Sequence, residues 1–128
     1  MSDFKKLLAW QRSRELVSEL HSTFRVSAAS FPGLRGQILR AATSVSSNLA
    51  EGCARGSRAE LARFARIAYG SLKEVESQLI NARDAELISE ARLNDLLALT
   101  DGVARLCYGL ARSPSATRRT DALPPPDQ

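Results

Sequence analysis

From residue 34 onward the apolar positions Leu34, Ile38, Ala41, Val45, Leu49 and Gly52 recur at spacings of four, three, four, four and three. Such spacing puts them on one stripe of a helix, the side that must face other helices. A polar line of Gln37, Ser44, Asn48, Glu51 and Arg55 runs beside it, with short Ala42, Ser46, Ser47 and Ala50 as fill. A helix built this way packs closely against more than one neighbour, one of which can belong to another subunit. Before it, Trp10, Val17, Leu20, Phe24 and Ala28 mark an apolar face that ends at Ser30-Phe31-Pro32-Gly33. There Pro32 disfavours helical backbone in the residue it follows, Gly33 relaxes the turn, and Phe31 is expected to plug the end of the core. The stretch from Asp3 to Ala9 is short and amphipathic, and its pattern leaves helicity open.

After the turn Arg55-Gly56-Ser57, Ser57 and Glu60 form an S-x-x-E capping box, so a third helix begins there. It carries Leu61, Phe64, Ala68, Leu72, Val75 and Leu79, with Ile67, Ser71 and Ala82 alongside. Residues 84–88 break the pattern and Ser89 is a candidate N-cap. The last stripe is Leu93, Leu96, Leu97, Val103, Leu106, Cys107 and Leu110. The expected helices are therefore about 9–29, 34–55, 57–83 and 89–111. No stretch alternates with period two. The predicted fold is all-α, an up-down-up-down antiparallel four-helix bundle over residues 1–112, with short connections that force antiparallel neighbours. Residues 113–128, rich in Pro, Ser and Thr without periodicity, are expected to be a disordered tail.

Composition narrows the function more than the fold. With 44% hydrophobic and 25% charged residues in 128, the chain is an ordinary single globular domain. No apolar run is long enough to span a bilayer, which argues against a membrane protein. The opening residues lack the apolar core of a signal peptide, and a cytoplasmic location is expected. The net charge is +4, and its distribution is uneven. Residues 35–66 hold Arg35, Arg40, Arg55, Arg58, Arg63 and Arg66 against Glu51 and Glu60 alone. Arginine outnumbers lysine fifteen to three, which suits forked contacts to phosphate or carboxylate. The candidate nucleic-acid-binding residues are accordingly Arg35, Arg55, Arg58, Arg63 and Arg66.

Catalytic chemistry finds little support. His21 is the lone histidine, reads as a surface or rim residue, and has no nucleophile to serve. Glu51, Glu74 and Glu76 sit on helices that form a hairpin, yet dimetal bundles also use Glu-x-x-His ligands, which are missing. No metal and no cofactor are expected, and the chain is read as a non-enzyme. Cys53 and Cys107 lack metal-ligand spacing and read as buried, reduced thiols. The polar residues Arg40, Ser44, Asn48, Glu51, Ser71 and Glu74 read instead as a buried polar network across the hairpin or as a subunit interface, either of which fixes register and partner choice.

The segments QILRAATSVSSNLAEGCARGS and FARIAYGSLKEVESQL, preceded by looser matches in LLAWQRSREL and FPGLRGQ, resemble the 23S rRNA-intervening-sequence protein family of bacterial four-helix bundles. The likeness runs over residues 4–111 and loosens in the fourth helix and the tail. It implies a toroidal homopentamer. It also implies kinship with accessory proteins of diversity-generating retroelements, which bind a reverse transcriptase and nucleic acid. Arg40 falls in the family's RA-x-x-S motif, which suggests the subunit interface for it.

Two functions follow. One is an oligomeric scaffold whose basic surface binds RNA or DNA, alone or in a complex with a reverse transcriptase, through phosphate contacts. The other is a protein–protein assembly module that recruits an acidic partner without touching nucleic acid.

Overall fold

The computed structural model describes residues 3–25 and 33–112. They form four helices, α1 (Leu8–Thr23), α2 (Leu34–Ala54), α3 (Arg58–Asp84) and α4 (Glu90–Ala111), with a 3-10 turn at Phe4–Lys6 before them. Among the described residues there is no strand. Cross-helix pairs fix the directions. Gln37 meets Gln78 at 2.9 Å and Ser44 meets Ser71 at 2.6 Å, so α3 runs back along α2. Tyr69 packs on Tyr108 and Arg83 reaches Glu90, so α4 runs back along α3. Arg92 in the first turn of α4 bonds Glu19 and Thr23 at the far end of α1. Each helix packs against two neighbours and none against its diagonal, which is the expected four-helix bundle.

The second, third and fourth helices lie within a residue of their expected bounds, because their ends are written in cap chemistry. The Ser57 and Ser89 hydroxyls accept from the backbone N–H of Glu60 and Arg92, satisfying donors that a helix start leaves open. Gly56 turns the chain between α2 and α3 with φ +81°, a left-handed backbone that side chains resist. At the end of α3, Leu87 N–H reaches back to the Ala82 carbonyl at 2.9 Å. Glu86 takes φ +63° between them, a Schellman closure built without its usual glycine.

The first helix differs from expectation. It stops at Thr23 rather than near residue 29, with Phe24 at its C-cap. Its buried stripe is Ala9, Ser13, Leu16, Leu20 and Phe24, whereas Trp10 and Val17 are only partly covered. The large side chains drew the sequence reading to the flank. The true seam passes through Ser13, fully buried because its hydroxyl donates to the Trp10 carbonyl at 2.7 Å, a local bond that makes a small polar residue tolerable inside. Thr100 on α4 uses the Leu96 carbonyl in the same way. Ala28, Phe31, Pro32 and the tail at 113–128 lie outside the described residues.

The core is formed by Leu16, Leu20, Leu34, Ile38, Val45, Leu49, Leu72, Val75, Leu79, Leu93 and Leu96, each at most 2% exposed. All six positions of the α2 stripe and all six of the α3 stripe are buried. Truncating one such leucine to alanine costs about 2–5 kcal/mol. Ile67, read as lying alongside the α3 stripe, is 45% exposed. It shares the outer face of α3 with Arg63, Gly70 and Glu74, at helical spacing and all exposed. Among the described residues no helix is long and apolar enough to cross a membrane.

Candidate nucleic-acid interface

Three residues, Arg55, Gly56 and Ser57, join α2 to α3, so the arginines on either side of the turn are brought to one end of the bundle. Arg55, Arg58 and Arg63 are all exposed there. Two carboxylates are laced among them. Arg55 pairs with Glu51 at 2.9 Å and approaches Glu60 at 3.6 Å, while Arg63 Nε donates to Glu60 at 3.0 Å. The Arg63 hydrogen bond holds the Glu60 carboxyl below its ordinary range, and the same bond raises Arg63. Glu60 thus completes only half of its capping box: its backbone N–H bonds Ser57, but its carboxylate turns to the arginines.

Phe64 gives these side chains a floor. The Arg63 guanidinium lies 4.5 Å and that of Arg55 5.2 Å from the ring centroid, both within cation–π range. Arg58 has no ionic partner among the described residues. Arg66 lies half-buried two turns further on, and its Nη1 is enclosed with no hydrogen-bond partner there. A guanidinium nitrogen out of water and without an acceptor carries an unmet demand for one.

Arg35 does not join this group. It stands in the first turn of α2, whereas the others gather beyond its last turn. Twenty residues at helical rise separate it from Arg55 by about 30 Å. Positions clustered in sequence charge were split by the length of the helix between them.

The polar network is smaller than expected. The Ser44 and Ser71 hydroxyls hydrogen-bond at 2.6 Å, and Asn48 Nδ2 donates to the Ser44 carbonyl at 2.7 Å. Glu51 and Glu74 are exposed, and Glu51 serves Arg55 rather than the network. Arg40 is exposed and folds back along α2, its Nη1 3.1 Å from where a Cβ on Gly36 would stand. A carboxylate costs far more to bury than a hydroxyl, so only the short hydroxyls and the amide turn inward. The Gln37–Gln78 bond extends the line toward the other end of the hairpin.

A second set of cations was not legible in the charge count. On the α3–α4 flank Lys73 lies over Tyr69, Tyr69 packs on Tyr108, and Arg112 lies over Tyr108. The four-residue spacings of Tyr69 to Lys73 and of Tyr108 to Arg112 were its sequence signal. Among the described residues no group of three metal-capable side chains comes together. Cys53 and Cys107 are buried and unpaired. Burial pushes both thiols up, Cys107 to about 12.

A family model described as 23S rRNA-intervening sequence protein matches residues 5–109. The chain belongs to that family. Its fold is similar to that of a Bacteroides thetaiotaomicron protein of unknown function from the S23 ribosomal protein family, solved at 1.70 Å resolution. The two superpose with a TM-score of 0.73 at 22% identity, over 88% of this chain and 98% of that one. At that identity the similarity speaks for the fold alone. No curated protein sequence matches the chain.

Proposed function

We propose that this family member is a non-enzymatic, cytoplasmic, oligomeric scaffold that binds structured nucleic acid through the arginines at its α2–α3 end. The observation that supports it most directly is the gathering of Arg55, Arg58 and Arg63 at one three-residue turn, two of them within cation–π distance of Phe64. Rigid, forked donors of this kind suit phosphate oxygens and read no base. The family resemblance points to a ring of five subunits. Such a ring would repeat the turn five times around an axis, turning a mild patch into a continuous field. The exposed Arg40, Glu51 and Glu74 are the residues offered to a neighbouring subunit. An RNA bound to a reverse transcriptase is one form the target can take.

Fluorescence anisotropy with a structured RNA, repeated across a salt series, tests the reading. Affinity should fall with salt at a log–log slope of roughly −0.9 for each phosphate contacted. Arg58→Glu with Arg63→Glu should abolish binding while the far-UV spectrum stays helical. Sedimentation should give a species larger than the monomer. A monomer indifferent to RNA in dilute buffer would end the proposal.

One observation favours the other reading, in which an acidic protein is the partner. Arg55 and Arg63 already hold carboxylates, Glu51 and Glu60, and a partner's glutamates could take their place. That case yields no RNA binding at any salt and a captured protein that is released by the same two substitutions.

A further inference from the structure

Two exposed cations, Arg14 on α1 and Arg25 just beyond its C-cap, lie away from the arginine-rich end. Arg14, Ser18, His21 and Arg25 recur at spacings of four, three and four and line, with Ser22, one wall of an open groove of about 710 Å³ between α1 and α2. The volume is of the size that holds a small organic ligand. Neither Arg14 nor Arg25 has an ion-pair partner among the described residues. Arg14 is steadied by the Trp10 ring, 5.1 Å beneath its guanidinium. The Ser18 and Ser22 hydroxyls have no hydrogen-bond partner there either, and so remain able to donate.

The rest of the lining leaves this charge unopposed. On the α2 wall Thr43 and Ser46 spend their protons on carbonyls of their own helix, at 2.8 Å to Leu39 and 3.1 Å to Thr43. They contribute no charge. The one carboxylate in the lining, Glu19, is drawn toward α4 by Arg92 at 2.8 Å. At the hairpin end, by contrast, Glu51 and Glu60 already answer Arg55 and Arg63. An unpaired guanidinium recruits an anion without first giving one up.

We infer that the α1–α2 groove binds phosphate groups of a nucleotide or of a nucleic-acid strand. Arg14 lies toward one end and Arg25 toward the other, roughly 16 Å apart along the helix, each meeting a phosphate, with Ser18, His21 and Ser22 donating between them. The site is independent of the hairpin end and stands if the reading of that end fails.

Backbone and His side-chain NMR spectra of the full chain, titrated separately with inorganic phosphate, adenosine monophosphate and a short RNA, test it. Resonances of Ser18, His21 and Ser22 should shift saturably. The variant Arg14→Gln with Arg25→Gln should weaken that response roughly tenfold or more with an unchanged melting temperature. Arg58→Glu with Arg63→Glu should leave it intact. Saturation by the mononucleotide identifies a small ligand, and a response to RNA alone identifies a strand phosphate. Absence of a saturable shift with all three probes, or an undiminished response in the Arg14/Arg25 variant, overturns the inference.

Discussion

Gly52 and Phe64 meet so closely that a Cβ on residue 52 would stand 2.9 Å from the Phe64 Cβ and 3.2 Å from the Leu61 Cα. The two helices cross here at backbone distance, and Leu61 cannot yield because the contact is to its main chain. Gly52→Ala should therefore overpack the crossing and cost about 1–3 kcal/mol, despite alanine's better helix propensity. Gly70→Ala is the matched control. It has open space around it, and the gain in propensity should stabilise by roughly 0.5–1 kcal/mol. Thermal melts of the pair should move in opposite directions.

The Ser44–Ser71 bond links α2 to α3 among half-buried positions. Ser71→Ala leaves the Ser44 hydroxyl without its cross-helix partner and should cost on the order of 1 kcal/mol. The Ser44 hydroxyl keeps its bond to the Ala41 carbonyl at 2.7 Å, and replacing both serines should cost less than the sum of the single changes, since the two share one cross-helix bond. A double-mutant cycle in urea reads the coupling directly.

Glu60 carries the pH dependence of the hairpin end. Its pKa in the folded chain lies below the ordinary 4.5, first through the hydrogen bond from Arg63. A group depressed in this way adds stability above its unfolded value, and that contribution is lost as pH falls through the folded value. Melting temperature should thus decline with acidification below about pH 4.5, and the Glu60 part of that decline should vanish in Arg63→Gln. A carboxyl titration by NMR should show Glu60 moving upward in the same variant.

The two cysteines should differ sharply from a free thiol. Burial raises Cys107 from 9.0 to about 12, and the thiolate is the reactive form. At pH 8 a disulfide reagent should leave Cys107 unlabelled in the native chain and label it promptly in denaturant. Because the folded value is the higher one, its contribution to stability is complete below pH 9 and fades as pH climbs toward 12.

Much of this fold is legible in the residues. The α2 and α3 stripes, the Ser57 and Ser89 caps and the three-residue turn follow from spacing and cap chemistry that tertiary packing merely accepts. The α1 seam was less legible, because Trp10 and Val17 outweigh Ser13 in apolar bulk, while the local Ser13–Trp10 hydrogen bond lets Ser13 sit inside with Ala9, Leu16 and Leu20. The candidate site was legible only as a charge count. Counting could not separate Arg35 from Arg55 along a rigid rod, and it could not tell arginines that hold glutamates from those, such as Arg14 and Arg25, that hold none. Of the two places read for Glu51 and Glu74, a buried network or a subunit interface, the cost of dehydrating a carboxylate disfavours the first, and both are exposed.

Holding two guanidinium groups over one benzyl ring has a kinetic side. Long side chains normally surrender their rotational freedom only when a target arrives, and that surrender slows and weakens capture. Arg55 and Arg63 have made it beforehand, at the moment the chain folds. An incoming anion meets side chains already held in place and displaces Glu51 and Glu60 from them, so removing the ring with Phe64→Leu should hasten departure of the bound anion far more than it delays arrival.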